Sequence, residues 1–222
     1  MKRMASFLNS SVGRKLLVGL TGFFLCSFLV VHLLINLFLL KQDEGLTFDA
    51  YSEFMATYPL IRPLEILLFA GFLIHVILTI WLWFTNRKVR TSSYAVNRAS
   101  DSSALSSRVM IVSGTVVLIF LVVHINSFFV GSRFVDNPKT MYEIVSEAFA
   151  NPWVDAFYLV ALVFLGYHLK HGFQSAFQTF GMRPVRYQKL IDTVGAIFWL
   201  VIPLAFAMIP LYFLWAHSSG VN

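Results

Sequence analysis

The 222-residue chain has one cysteine, and Lys, Arg, Asp and Glu together supply only 13% of it. A lone thiol, Cys26, excludes an internal disulfide and any thiolate cluster, so iron–sulfur chemistry would have to come from another chain. So few charges are rare in a soluble domain of this length, and 58% of the residues are apolar, with 23 phenylalanines. The sequence also lacks a phosphate-binding glycine loop, a nucleophile motif, a low-complexity tract and any evident repeat. Strand-like alternation is missing, which argues against a membrane β-barrel. The first apolar run has no small-residue cleavage site and is expected to span rather than be removed.

What is present is a set of long apolar runs. Five segments, near Leu16–Leu40, Pro63–Phe84, Val109–Val130, Val154–Phe177 and Ile191–Trp215, are long enough to cross a hydrocarbon core. Such a core is about 30 Å thick and takes roughly 20 helical residues. Helices satisfy their own backbone groups in lipid, so the expectation is an all-α integral membrane bundle of five transmembrane helices, with residues 1–222 forming one domain. "NPWVDAF" reads as a helix start, with Asn151 as cap and Pro152 in the first turn. "TSSYAVNRASDSSALSS", Thr91–Ser107, reads as a polar, mobile loop.

Charge gives the orientation. Lys2, Arg3, Arg14 and Lys15 precede the first span; Arg87, Lys88, Arg90, Arg98 and Arg108 join the second to the third; Arg183, Arg186 and Lys189 join the fourth to the fifth. The other two connections are acid-rich, with Asp43, Glu44, Asp49 and Glu53 in one and Asp136, Glu143, Glu147 and Asp155 in the other. The positive-inside rule predicts a cytoplasmic N-terminus and an external C-terminus. The net charge of +6 is then a topology signal and leaves a basic face for lipid or a protein partner, not nucleic acid.

Four of the six histidines, His32, His75, His124 and His168, lie one on each of the first four spans; His171 and His217 are the others. Ionisable groups are costly in a membrane and commonly functional there, the structural alternative being helix–helix hydrogen bonding. Their depths match in pairs. His32 is nine residues before Lys41 and His124 nine before Arg133, while His75 is thirteen after Arg62 and His168 thirteen after Asp155. Helical rise then predicts one pair roughly 14 Å and the other about 20 Å inside the outer flank. Two imidazoles at one level on different helices fit bis-histidine ligation of haem iron, whereas zinc would want its ligands converging on one point. Gly71, Gly114, Gly166 and Gly172 would let a flat macrocycle approach the backbone, or would serve close helix packing.

These residues carry a resemblance. "VHLLINLF" around His32, "LIHVILT" around His75, "VVHINSF" around His124 and "HLKHGFQSAFQTFG" from His168 are similar to the single-polypeptide di-haem cytochrome b anchors of succinate:quinone oxidoreductases, the complex II family that includes fumarate reductases. The last motif places glycines four and thirteen residues after the ligand, as Gly172 and Gly181 stand here, and so selects His168 over His171. The resemblance implies two b-type haems, the outer on His32 and His124 and the inner on His75 and His168. It implies a cytoplasmic flavoprotein subunit with FAD, an iron–sulfur subunit, and a bacterial cytoplasmic membrane as the location. Electrons from succinate would reach quinone, with menaquinone the expected type. No catalytic residue is expected beyond electron transfer and quinone reduction.

For quinone the resemblance points to Glu53 and to the pair Ser10 and Arg14. Glu65, ten residues before His75, is a rival, and His171 or Lys170 would reach a haem propionate or a quinone oxygen. Some fumarate reductases of the family place a glutamate two residues before the last ligand; Gly166 stands there, which favours the succinate-oxidising direction. The alternatives are a fumarate reductase anchor oxidising quinol, a cytochrome b of a hydrogenase, formate dehydrogenase or nitrate reductase, and an ion-coupled transporter. The second class commonly puts two ligands on one helix. The third wants broken-helix pairs or inverted halves, although Pro203 and Pro210 do interrupt the fifth span.

Overall fold

The computed structural model describes residues 10–89, 102–134, 138–182 and 185–219. Among these, five helical stretches are long and apolar enough to cross a membrane: Ser11–Leu40, Ile61–Arg87, Val109–Arg133, Pro152–Thr179 and Gln188–Ser219. The five expected spans therefore stand, each a little longer than its apolar run. Of the loop expected over Thr91–Ser107, residues 91–101 lie outside the described residues, and Ser102–Ser107 are helical. That part corrects the expectation: serine-rich composition did not stop an apolar helix from extending backwards.

Helix α1 (Ser11–Asn36) starts where Ser10 accepts a hydrogen bond from the Gly13 N–H at 3.0 Å. A 3-10 turn, Leu37–Leu40, ends that span. Helix α2 (Leu46–Thr57) lies between it and α3 (Ile61–Val89). Helix α4 (Ser102–His124) continues through a π-helical stretch, Ile125–Val130, and a last turn, Gly131–Arg133. Helix α5 (Met141–Ala148) then leads to α6 (Pro152–Thr179), capped by Asn151 as the sequence suggested, its side chain accepting from the Trp153 N–H. The fifth span joins α7 (Gln188–Ala196) to α8 (Ile202–Ser219) through a second π-helical stretch. The two short helices α2 and α5 were not foreseen, because each is brief and flanked by charge.

The chain thus makes the same excursion twice: span, short helix, span. The two short helices meet. The Tyr142 N–H donates to Asp49 Oδ1 at 2.8 Å, and Gly45 enters α2 with φ 82°, a left-handed conformation that suits glycine. A Cβ on Gly45 would also run into the Tyr142 ring. Just before it, Asp43 accepts from the Thr47 hydroxyl and backbone and pairs with Lys41 at 2.9 Å. The Thr47 hydroxyl first, then Lys41, holds this carboxyl below its usual range. Beneath the short helices lies the best-buried apolar cluster, with Leu39, Phe48, Phe128, Val145, Phe149 and Phe213 at its centre.

In the membrane layer, α1 packs along α3 and α6, α6 packs along α4, and α8 lies against α6 and α1. Among the described residues α3 and α4 do not pack along each other. The four histidine-bearing helices therefore pack in the order α3, α1, α6, α4. Lipid replaces water as the solvent of the outer faces, which is why Leu67, Ile74, Ile119 and Val163 stand exposed without cost.

Two sequence expectations change here. Asp155 served as a solvated flank in the depth count, but it is 2% exposed and neither carboxylate oxygen has a hydrogen-bond partner. It sits in the first turn of α6, where the helix dipole favours an anion. Gly166, one of the glycines offered for a macrocycle, instead meets the π-helical stretch before α8: a Cβ there would lie 2.8 Å from the Trp199 carbonyl oxygen. Because the obstacle is backbone, Gly166→Ala is expected to cost about 1–3 kcal/mol as overpacking. The check is a lowered melting temperature of the purified protein in detergent; an unchanged one would show that the fifth span can retreat.

Candidate functional site

The structure brings the four intramembrane histidines together two by two. The His32 and His124 rings face each other with centroids 5.8 Å apart and planes at 89°. The His75 and His168 rings stand 6.4 Å apart at 76°. Each pair joins helices that are not neighbours in the row: α1 with α4, and α3 with α6. The histidines therefore point into the middle of the four-helix group.

Three of the four rings have a polar neighbour at Nδ1. His75 Nδ1 lies 3.2 Å from the Val18 carbonyl oxygen and 3.1 Å from the Thr21 hydroxyl. His124 Nδ1 is 3.1 Å from the Tyr158 hydroxyl, and His32 Nδ1 is 3.4 Å from the Asn36 amide nitrogen. A proton on Nδ1 shared with the Val18 carbonyl leaves Nε2 of His75 as the lone-pair nitrogen, the arrangement that orients a metal-binding imidazole. His168 Nδ1 is buried with no hydrogen-bond partner.

The two halves of the site repeat each other. Phe28 stacks on His32 at 5.2 Å and Phe120 stacks on His124 at 5.4 Å. A Cβ on Gly22 would sit 3.4 Å from the His75 ring, and a Cβ on Gly114 would sit 3.4 Å from the His168 ring. The sequence signal for this was open to view: "FLVVH" occurs at Phe28–His32 and again at Phe120–His124, with a glycine ten residues before each histidine. The expectation of no repeat is thereby corrected. Thr21 and Ser113, the residues just before those glycines, complete the match.

The same contacts correct the depth estimate. Gly22 touches the His75 ring and lies ten residues before His32; Gly114 touches the His168 ring and lies ten residues before His124. Ten residues of helix rise about 15 Å, so the two levels are separated by roughly that much and not by the 6 Å or so implied by charged flanks. The pairing is as counted. The spacing differs because the flanks do not share one height: Arg62 and Asp155 lie only about three residues beyond the outer level, Lys41 and Arg133 nine.

The donor set was tested for fit to a metal group. A metal–imidazole nitrogen bond is about 2 Å, so two such bonds and two half-rings span separations of the size seen in both pairs. Among the described residues no group of three or more His, Cys, Asp or Glu converges. An ion between two imidazoles would need its other ligands from elsewhere, as iron takes them from a porphyrin. A Cβ on Gly172, one turn beyond His168, would meet nothing within 4 Å, so the protein itself leaves space on that face. The residues fit two bis-histidine haems.

The other candidates do not gather into one place. Ser10 is engaged in capping α1, while Arg14 lies 4.4 Å over the Trp81 ring. His171 is half-buried one turn after His168, and Lys170 lies 4.7 Å over the Trp199 ring. At the other end Glu53 is exposed on α2, and Glu65 is held by Arg62 at 3.2 Å and Arg133 at 3.6 Å. His217 Nδ1 is 2.7 Å from the Phe213 carbonyl oxygen of its own helix. Sequence reasoning missed Thr21, Tyr158 and Arg133. It also missed a cleft of about 250 Å³ that opens beside Tyr158, with Ser127, Trp153 and Phe157 among its walls.

No curated protein and no solved structure matches the chain. A family model does, over residues 85–204, a stretch that holds one histidine of each facing pair, His124 and His168. Over more than half its length, then, the five-span chain answers to the succinate dehydrogenase/fumarate reductase transmembrane subunit, and it belongs to that family.

Proposed function

We propose that this chain is the di-haem cytochrome b anchor of a succinate dehydrogenase, linking an iron–sulfur subunit to quinone in the membrane. The observation that carries the reading is the pair of facing imidazole pairs, 5.8 Å and 6.4 Å between centroids, stacked at two levels of one bundle. When bound, haem supplies a one-electron couple at each level. The chain's own part is to hold, orient and insulate. His75 and His168 hold the inner group; His32 and His124 hold the outer one. Val18, Thr21 and Tyr158 fix ring orientation, and the phenylalanines stacked on His32 and His124 exclude water.

The basic ends support the orientation. Arg14, Lys15, Arg87, Arg186 and Lys189 flank the spans at the end nearer His75 and His168, and Asp43, Glu44, Glu143 and Glu147 lie at the other. The positive-inside rule makes the basic end cytoplasmic in a bacterial inner membrane. A flavoprotein subunit with FAD and an iron–sulfur subunit dock there in this reading, beside the inner haem. Menaquinone is the proposed electron acceptor at a lipid-accessible edge. Glu53 and Glu65 are the candidates at the outer level, and Ser10, Arg14 and His171 at the inner one.

The reverse reaction, quinol oxidation for fumarate reduction, is the second reading. Against it stands Gly166, whose Cα faces the Trp199 carbonyl with no room for the glutamate that some fumarate reductases place there.

The purified subunit is expected to show a b-type reduced-minus-oxidised spectrum with close to two haems per chain. A colourless preparation from a haem-supplied host, folded by an independent measure, overturns the reading. His168→Ala should remove one haem, while His171→Ala should keep both; the opposite result would reassign the ligand. Tyr158→Phe removes the group behind His124 Nδ1. It should raise the midpoint potential of one haem only and weaken its retention by about 10- to 100-fold, the usual effect of losing such a support.

A further inference from the structure

One cation at the end of a span has a buried nitrogen that is left unpaired. Arg133 ends the third span, and its side chain is only 20% exposed. One guanidinium nitrogen, NH2, reaches Glu65 at 3.6 Å, and the group lies 5.6 Å over the Phe129 ring. The other, NH1, is buried with no hydrogen-bond partner. An unpaired buried donor on a charged group is costly, so a position like this calls for an acceptor.

The place of Arg133 says which acceptor. The third span meets α3 through Phe69 against Phe129 at 5.3 Å and through Glu65 against Arg133. Glu65 lies ten residues before His75 on α3. The same helical rise therefore puts it about 15 Å from the inner level, which is the level of His32 and His124. Arg133, nine residues beyond His124 on its own span, reaches back to that carboxylate, so the ion pair lies at the outer end of the contact between the two helices, just outside the outer histidine pair. The charges there do not balance among the described residues: Arg62 and Arg133 are cations, and Glu65 is the one carboxylate joined to them. One more anion would neutralise the group.

We propose that Arg133 binds a propionate carboxylate of the outer haem, with NH1 as the donor and Glu65 holding the guanidinium in place from the other side. A guanidinium presents forked donors to a planar carboxylate, so it would satisfy the buried nitrogen and anchor the porphyrin edge together. Arg62, nearly half exposed, supplies charge but no contact. This inference rests on the di-haem reading and adds to it a residue outside the ligand set.

The test uses the haem-loaded subunit, with the outer haem identified by its loss in His32→Ala. Arg133→Gln should lower the midpoint potential of the outer haem alone, because a nearby positive charge favours the reduced state. It should also shift the propionate bending band in the resonance Raman spectrum. Arg133→Lys keeps the charge, so the midpoint should largely recover, but the band should stay shifted because the fork is gone. Glu65→Gln should move the midpoint in the opposite direction and leave the band in place. Should Arg133→Gln fail to assemble, the band in Arg133→Lys decides. An unshifted band in the folded variants, or equal shifts of both haems, overturns the assignment while leaving two haems in place. Absence of haem from the unaltered protein would instead overturn the reading beneath it.

Discussion

The structure depends on four imidazoles being carried into a layer that offers no water. Each has to be satisfied twice there, at Nδ1 by the protein and at Nε2 by whatever lies between the rings. Val18, Thr21 and Tyr158 meet the first demand for His75 and His124. Diagonal pairing across the row α3, α1, α6, α4 sets up the second, because only helices one place removed leave room for something between them. The bundle is built around that space, and its outer faces can be plain lipid-soluble surface.

The repeated excursion of span, short helix and span explains how one chain makes two equivalent half-sites. "FLVVH" gives each half a phenylalanine one turn before its outer ligand, and the preceding glycine lets the same helix pass close to an inner ligand. Helices α1 and α4 therefore each serve both levels, as ligand at one and as wall at the other. The two levels are locked in distance by ten residues of rigid helix, about 15 Å. A change in either glycine would disturb the level to which its own helix contributes no ligand.

The halves are not identical, and the differences bear on function. His75 Nδ1 has the Val18 carbonyl and the Thr21 hydroxyl, whereas His168 Nδ1 has no partner although Ser113 stands in the equivalent place and donates to Met110. Arg133 places a charge beside Glu65 at one end of the bundle, while Arg14 and Lys170 at the other end lie over tryptophan rings. These asymmetries are where one haem would be made electronically distinct from the other.

Much of this was legible in the sequence. The five spans followed from apolar length alone, because lipid demands it, and the Asn151 cap followed from local chemistry. The histidine pairs followed from a count along helices, since a helix turns depth into residue number. The distance between levels did not, because charged flanks on different helices need not stand at one height, and only the packed bundle shows that Arg62 and Asp155 lie deeper than Lys41 and Arg133. Nor did the part played by Gly166 or the ion pair of Glu65 with Arg133, which depend on which helices end up side by side. Sequence determines periodicity, length and chemistry along one axis; neighbours across the bundle are chosen by packing, and the tertiary structure alone decided those.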